Sequence, residues 1–180
     1  MEHVAFLRGI NVGGHGAVTM EDLRGAFEEA GFDDVRTIAS SGNVAFSSKM
    51  SDRAALAKKG EAALKKRLGR DIPVHVRSLD DLRRMVKADP YKGFRTASDA
   101  KRVITFLDAG AKPAMKLPFR KDGSAILTIR DGVAFSAYEQ SPKGAVFMAV
   151  LEKTFGKKIT TRTWDMIMRL TGAPSSKPRG

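Results

Sequence analysis

The feature that most constrains the fold of this chain is an internal repeat. Four segments of the first half return in the same order in the second half: "VAFLRG" as "VITFLDAG", "RTIASSGNVAFSS" as "LTIRDGVAFSA", "LGRDI" as "FGKKI" and "RSLDDLRRM" as "RTWDMIMRL". Four weak matches in one order indicate a duplication. We therefore expect two related halves, with domain bounds at 1–90 and 91–172, followed by a mobile tail over 173–180.

Capping residues, turns and apolar periodicity divide each half into helices and strands. In the first half the predicted elements are strands near 4–7, 34–39, 43–47 and 74–78, and helices that begin at Thr19, Ser51 and Ser78. In the second half they are strands over 101–108, 124–130 and 132–138, a reduced helical turn over 112–117, and helices over 141–155 and about 162–171. A βαββαβ order is that of a ferredoxin-like unit. We predict an α+β protein of two ferredoxin-like repeats with an extra C-terminal helix.

The first strand of each half, "VAFL" or "VITFL", is apolar at successive positions. A strand with one face in water alternates apolar and polar residues, whereas a strand that is covered on both sides does not. Both faces of these two strands are therefore expected to be buried, with the second face packed against the sister half or a partner.

Charge is distributed unevenly along the chain. Residues 1–90 hold 15 Lys and Arg against 13 Asp and Glu, whereas residues 91–180 hold 17 against 7. A basic half can form a polyanion-binding face, although a net charge of +12 also favours solubility. The candidate contacts for nucleic acid are basic residues of the second half: Arg120, Lys121, Lys157, Lys158 and Arg162.

Four phenylalanines in central strands could stack on bases: Phe6, Phe46, Phe106 and Phe135. Phenylalanine in such strands is, however, usually part of the core.

The most unusual local feature is the glycine-rich loop "RGINVGGHG" between the first strand and the first helix. Flexible backbone before a helix N-terminus can direct several N–H groups at an anion. We predict an anionic ligand here, held by residues of this loop together with Asn43 of the nearby hairpin: Arg8, Gly9, Asn11, Gly13, Gly14, His15 and Gly16. The other interpretation is a structural corner, in which glycine permits positive φ and close packing on the hairpin. Asn43 likewise suits a turn for its backbone conformation.

Several classes of chemistry lack their motifs in this sequence. The chain has no cysteine, no P-loop and no complete GxGxxG fingerprint, so we expect neither a disulfide framework nor a nucleotide cofactor. No pair among His3, His15 and His75 has metal-ligand spacing, so no metal site is predicted. His15 is the weak candidate for acid-base catalysis. A cytoplasmic protein without a membrane span is expected.

The motifs "FLRGINVGG", "SGNVAF" and "TTRTWDMIMRL" resemble those of the bacterial DUF1697 family, whose function is unknown. The resemblance covers nearly the whole chain and implies a duplicated, ferredoxin-like α+β fold without an established activity. Three places depart from the family pattern: residues 15–20 differ from the usual His-Asn-Lys-Val-Pro-Met, Ser40 replaces a glutamine, and Thr163 and Asp165 replace two asparagines. A chemistry that depended on those side chains would be altered here.

Three functions follow as expectations. The first is a module that binds an anionic or phosphorylated small molecule at the glycine-rich loop. The second is a nucleic-acid-binding protein that uses the basic second half, and the third is an enzyme on a nucleotide-like substrate with His15 as acid or base. The sequence predicts neither the ligand nor the oligomeric state.

Overall fold

The structure is a computed structural model of the chain, and it describes residues 1–10, 18–38, 42–97, 99–108, 111, 115–121, 123–139 and 146–174. The chain divides into two compact units, Met1–Leu82 (unit 1) and Arg83–Gly180 (unit 2). Over the described residues, it is a mixed α+β protein with two antiparallel sheets and five helices.

Unit 1 contains a four-stranded sheet and two helices, and it ends within a third helix. Its elements are β1 (Glu2–Leu7), α1 (Met20–Glu29), β2 (Asp33–Ile38), β3 (Asn43–Ser47), α2 (Arg53–Leu68), β4 (Val74–Ser78) and the start of α3 (Leu79–Lys87). The strand order is β2-β3-β1-β4, and every neighbouring pair is antiparallel. The predicted elements of this half are therefore present, each within a few residues of its predicted bounds.

Local sequence signals account for the helix ends of unit 1. The Thr19 hydroxyl accepts a hydrogen bond from the Asp22 backbone N–H at 3.0 Å, as an N-cap does. Asp52, rather than the predicted Ser51, caps α2 by accepting from the Ala54 N–H. Gly69 ends α2 in the left-handed conformation, at φ +67°.

The helices α1 and α2 pack on one face of the unit 1 sheet. Leu23 and Phe27 of α1 and Leu64 of α2 contact a buried cluster that includes Ala5 and Leu7 of β1. On the opposite face of β1, Val4 and Phe6 are 2% and 0% exposed. The prediction that both faces of this strand are buried is confirmed.

Unit 2 contains a five-stranded sheet and two further helices. Its elements are β5 (Lys101–Phe106), β6 (Phe119–Lys121), β7 (Ser124–Arg130), β8 (Val133–Tyr138), α4 (Val146–Phe155), β9 (Thr160–Thr163) and α5 (Trp164–Leu170). The order is β6-β7-β8-β5-β9, again antiparallel throughout. Without β6, the order corresponds to that of unit 1.

Two strands of unit 2 were not predicted. Residues 115–117 of the expected helical turn are not helical, and β6 follows them. Pro118 explains the difference, because the residue before a proline is displaced from helical to extended backbone. The predicted last helix begins two residues later than expected, because the run Thr160–Thr163 forms β9; β-branched threonine favours strands.

Unit 2 buries apolar residues on both faces of its sheet. The helix α4 contributes Phe147, Leu151 and Phe155 to one cluster. On the other face, Tyr91 packs edge-on against Phe135 and Trp164, at centroid distances of 6.0 and 5.2 Å. The Tyr91 hydroxyl donates a hydrogen bond to the Val103 carbonyl oxygen at 2.7 Å. This contact fixes the position of the segment around Tyr91 that precedes β5.

His3 of β1 is a buried histidine in an apolar environment. Its ring is 1% exposed and stacks on Phe46 at a centroid distance of 5.5 Å. Burial, together with the positive N-terminus, lowers the pKa of His3 below its ordinary value of 6.5.

This environment predicts that the free energy of unfolding depends on pH just below 6.5. The unfolded chain protonates His3 more readily than the folded chain there, so stability is complete above that pH and falls as the pH decreases toward the folded-state pKa. Urea unfolding between about pH 7.5 and 5.5 measures this slope. His3→Phe preserves the stack on Phe46 and should have a smaller slope. An undiminished slope in that variant would contradict the assignment.

Candidate functional site

The start of the glycine-rich loop lies at the end of the central strand of unit 1. Arg8 directly follows β1 and is half-buried, with its backbone N–H donating to the Pro73 carbonyl oxygen at 3.1 Å. Gly9 is exposed and has a φ of +56°, a conformation that favours glycine. The backbone therefore turns immediately after Arg8, and the loop begins at an exposed position beyond the end of β1.

The hairpin between β2 and β3 lies against this start of the loop. The Leu7 N–H donates to the Gly42 carbonyl oxygen at 2.9 Å, and Ile10 lies over Gly42. A Cβ at Gly42 would be 2.9 Å from Ile10 Cδ1, so only a glycine permits this close packing. The structure thus places Ile10, at the start of the loop, against Gly42 of the hairpin, which the sequence could not decide.

Asn43 has a structural role at this position. Its side chain is fully buried, and its Nδ2 donates to the Ile38 carbonyl oxygen across the hairpin at 3.0 Å. This bond holds the β2–β3 turn in shape, so Asn43 positions the surface beside the loop.

The other predicted ligand-binding residues lie outside the described residues. They are Asn11, Gly13, Gly14, His15 and Gly16, and they include the weak candidate for catalysis, His15. Their contribution to a site stays a prediction from the sequence. Arg8, Gly9 and Asn43 are the described members of the set.

The first turn of α1 carries negative charge. Glu21 and Asp22 lie there, where the positive end of a helix stabilises carboxylates. The Thr19 hydroxyl donates to the Asp22 carboxylate at 2.7 Å, and hydrogen bonds from Thr19 hold the pKa of Asp22 below its usual range. An anionic ligand at this end of the sheet would therefore depend on loop N–H groups and Arg8 more than on the helix dipole.

The predicted nucleic-acid contacts separate into two groups. Arg120, Lys121, Lys157 and Lys158 are exposed, as a phosphate contact requires. Arg162, by contrast, is only 8% exposed. Its Nη1 donates to the Thr160 hydroxyl at 2.8 Å and to the Thr161 carbonyl oxygen at 2.9 Å. Burial lowers the pKa of Arg162 to about 10. The expectation that Arg162 contacts nucleic acid is corrected, because β9 pairs with β5 and this side chain is used inside the unit.

The four phenylalanines proposed as stacking partners belong to the core. Phe6 and Phe106 are fully buried, and Phe46 and Phe135 are 1% exposed. A base cannot reach them without unfolding the sheet. The interpretation of these residues as core residues is confirmed, and RNA recognition by exposed sheet aromatics is excluded for them.

Unit 2 contains a cleft of about 320 Å³ that the sequence analysis missed. It lies between Thr96, Ala97 and Ala100 on one side and the β6–β7 end of the sheet on the other, and we call it the β6–β7 cleft. Arg120 and Lys121 border it together with Glu139. The only signal in the sequence was the basic pair in "FRKDG", because the small residues that leave the space open come from strands whose register is set by tertiary pairing.

Comparison with family models now identifies the chain. The model of the family described as "Protein of unknown function (DUF1697)" matches residues 1–135. The chain belongs to the DUF1697 family. The suspected family resemblance is thereby confirmed. No curated protein matches the sequence.

A solved structure supports the fold of this DUF1697 protein. A conserved bacterial protein from Streptococcus pneumoniae is 20% identical and superimposes with a TM-score of 0.67, over 95% of this chain and 96% of that one. At this level of identity, the similarity concerns the fold alone.

No described helix is long and apolar enough to cross a membrane. No three His, Asp or Glu side chains in the same residues come close enough together to hold a metal ion.

The contact between Ile10 and Gly42 predicts a large effect of adding one methyl group in this DUF1697 protein. Gly42→Ala adds both strain, at φ +77°, and a collision with the buried Ile10, so we expect a loss of about 2–4 kcal/mol in the free energy of unfolding. Gly69→Ala is the matched control, because Gly69 has a φ of +67° but no atom within 4 Å of an added Cβ. It should cost about 1 kcal/mol.

A double-mutant cycle separates collision from strain. In an Ile10→Ala background, Gly42→Ala should cost about as much as Gly69→Ala does. Urea unfolding of the four variants checks this. Equal costs of Gly42→Ala in both backgrounds would show that the loop start does not press on the hairpin.

Proposed function

We propose that this DUF1697 protein is a binding module for an anionic or phosphorylated small molecule, and that the ligand binds at the glycine-rich loop. The carrying observation is the hydrogen bond from Leu7 to Gly42, which holds the loop start against the hairpin. Arg8 follows directly and supplies a positive charge at the mouth of the loop. The proposed ligand contacts are Arg8, Gly9, Asn11, Gly13, Gly14, His15 and Gly16, with Asn43 as a positioning residue.

The repeat itself supports a specialised role for this loop. We infer that each half, 1–90 and 91–172, is a ferredoxin-like repeat and that the chain arose by duplication. The shared strand order supports this inference. So do two equivalent helix caps, in which Ser78 accepts from the Asp81 N–H and Thr163 from the Met166 N–H. Because the second copy has "DAGAKP" in place of the glycine-rich run, the glycines are dispensable for the repeat and available for binding.

A thermal-shift titration with inorganic pyrophosphate tests the loop. At about 100 times the Kd, a bound ligand adds roughly 2.7 kcal/mol to stability, which raises Tm by several degrees. Arg8→Gln and the double variant Gly13→Ala/Gly14→Ala should each lose most of that rise. Arg24→Gln removes one exposed charge from the same unit and should retain it. A full rise in the Arg8 and glycine variants would reject the loop as the site.

Nucleic-acid binding is the second candidate, and the exposure of Arg120, Lys121, Lys157 and Lys158 supports it. The buried phenylalanines and Arg162 count against a stacking surface. Binding that follows phosphate neutralisation weakens as salt rises.

Fluorescence anisotropy with single-stranded DNA and RNA at several salt concentrations measures this dependence. Lys157→Gln/Lys158→Gln should reduce the slope of log K against log salt by about 1.4, at roughly 0.7 per lost contact with a single strand. An unchanged slope would remove these lysines from the interface, and no binding at low salt would remove the function.

A further inference from the structure

The β6–β7 cleft has the size of a small-molecule site. Its volume of about 320 Å³ lies at the lower end of the range for ligand pockets, roughly 300–1,000 Å³. It belongs to unit 2 alone, so it is a different place from the glycine-rich loop and does not depend on the function proposed for that loop.

The space exists because the sheet has alanines where larger residues would fill it. Arg120 of β6 is the register partner of Ala125 in β7, and Ala125 is the partner of Ala137 in β8. Register partners point to the same face of a sheet, so these three residues form one row. The two alanines are 5% and 3% exposed and form an apolar floor with an arginine at its edge.

One wall of the cleft is formed by the segment that precedes β5. Tyr91 anchors this segment through its bond to Val103, and Arg120 Nη2 donates to the Arg95 carbonyl oxygen at 3.0 Å. That bond uses one of the five guanidinium N–H donors and fixes the arginine between sheet and wall. The site is thus preformed within the unit.

The charged side chains at the cleft indicate which class of ligand it binds. Arg120 and Lys121 are exposed; Arg120 lies in the row of alanines, whereas Lys121, the next residue of β6, pairs with Ser124 and points to the other face of the sheet. Glu139 also borders the cleft, and its backbone N–H donates to the Gly123 carbonyl oxygen at 3.0 Å, which holds it beside the β6–β7 turn. A uniformly anionic strand would be repelled by Glu139. A ligand that carries both a phosphate and a hydrogen-bond donor satisfies Arg120 and Glu139.

We propose that the β6–β7 cleft binds a small phosphorylated molecule that also carries a hydrogen-bond donor, with Arg120 at the phosphate and Glu139 at the donor. The apolar floor of Ala125 and Ala137 contacts the carbon skeleton between them. The ligand class is that of an amino-substituted mononucleotide or a molecule of similar chemistry.

Three probes separate these contributions in an NMR titration of the ¹⁵N-labelled full chain. They are AMP, adenosine, which lacks the phosphate, and purine riboside 5′-monophosphate, which lacks the exocyclic amine. AMP should shift the amide signals of Gly123, Ser124 and Glu139. Its affinity should exceed that of each other probe by about tenfold, the value of one charge-assisted hydrogen bond or more.

Paired variants test whether the binding is local. Arg120→Gln/Lys121→Gln should weaken AMP binding by about tenfold or more. Lys153→Gln/Arg169→Gln removes two charges from exposed positions of unit 2 outside the cleft and should change it by less than about threefold. Glu139→Gln should abolish the preference for AMP over purine riboside 5′-monophosphate.

Several outcomes would overturn the proposal. They are equal losses in the two double variants, AMP-induced shifts that leave the cleft amides unchanged, and an oligonucleotide that binds there more tightly than AMP. The last result would assign the surface to nucleic acid. Because Arg8→Gln leaves the cleft intact, AMP binding that survives in Arg8→Gln but not in Arg120→Gln/Lys121→Gln also separates this site from the loop.

Discussion

The burial of the central strand on both faces and along both edges determines what surrounds it. In unit 1, β1 pairs with β3 and β4, while Leu7 and Phe6 are buried on opposite faces. Because β1 is covered on both faces and paired along both edges, the chain can continue only beyond the end of the strand. At that end of the strand, the Leu7 N–H donates to the Gly42 carbonyl oxygen of the β2–β3 hairpin, and the Arg8 N–H donates to the Pro73 carbonyl oxygen before β4. The strand β5 has the same position between β8 and β9 in unit 2.

The two units share one strand order but differ in the connections and edge strands around it. Unit 1 has a glycine-rich connection after its central strand, whereas the connection after the central strand of unit 2 is poor in glycine and leads to an added edge strand, β6. The added strand brings Arg120 into line with two alanines and creates a cleft. A repeated framework thus keeps its core, while the connections and edges supply the differences on which binding depends.

The position of an arginine within the sheet decides whether a ligand can reach its positive charge. Arg77 of β4 and Arg162 of β9 are both 8% exposed, and each donates from Nη1 to the carbonyl oxygen of the preceding residue. A buried guanidinium requires such partners, so these charges contribute to the internal structure of each unit. The basic excess of the second half therefore overstates the positive charge that a polyanion can reach.

The sequence by itself determined the elements whose signals are local: the cap at Thr19, the helix after Ser78, the hairpins around Gly42 and 131–132, and the apolar central strands. These depend on hydrogen bonds and backbone preferences within a few residues. Only the tertiary structure decided that Ile10 packs on Gly42, that Arg162 is buried, and that Arg120 shares a row with Ala125 and Ala137. Such relations depend on strand register and burial, which arise from residues far apart in the chain and leave no signal in any short segment.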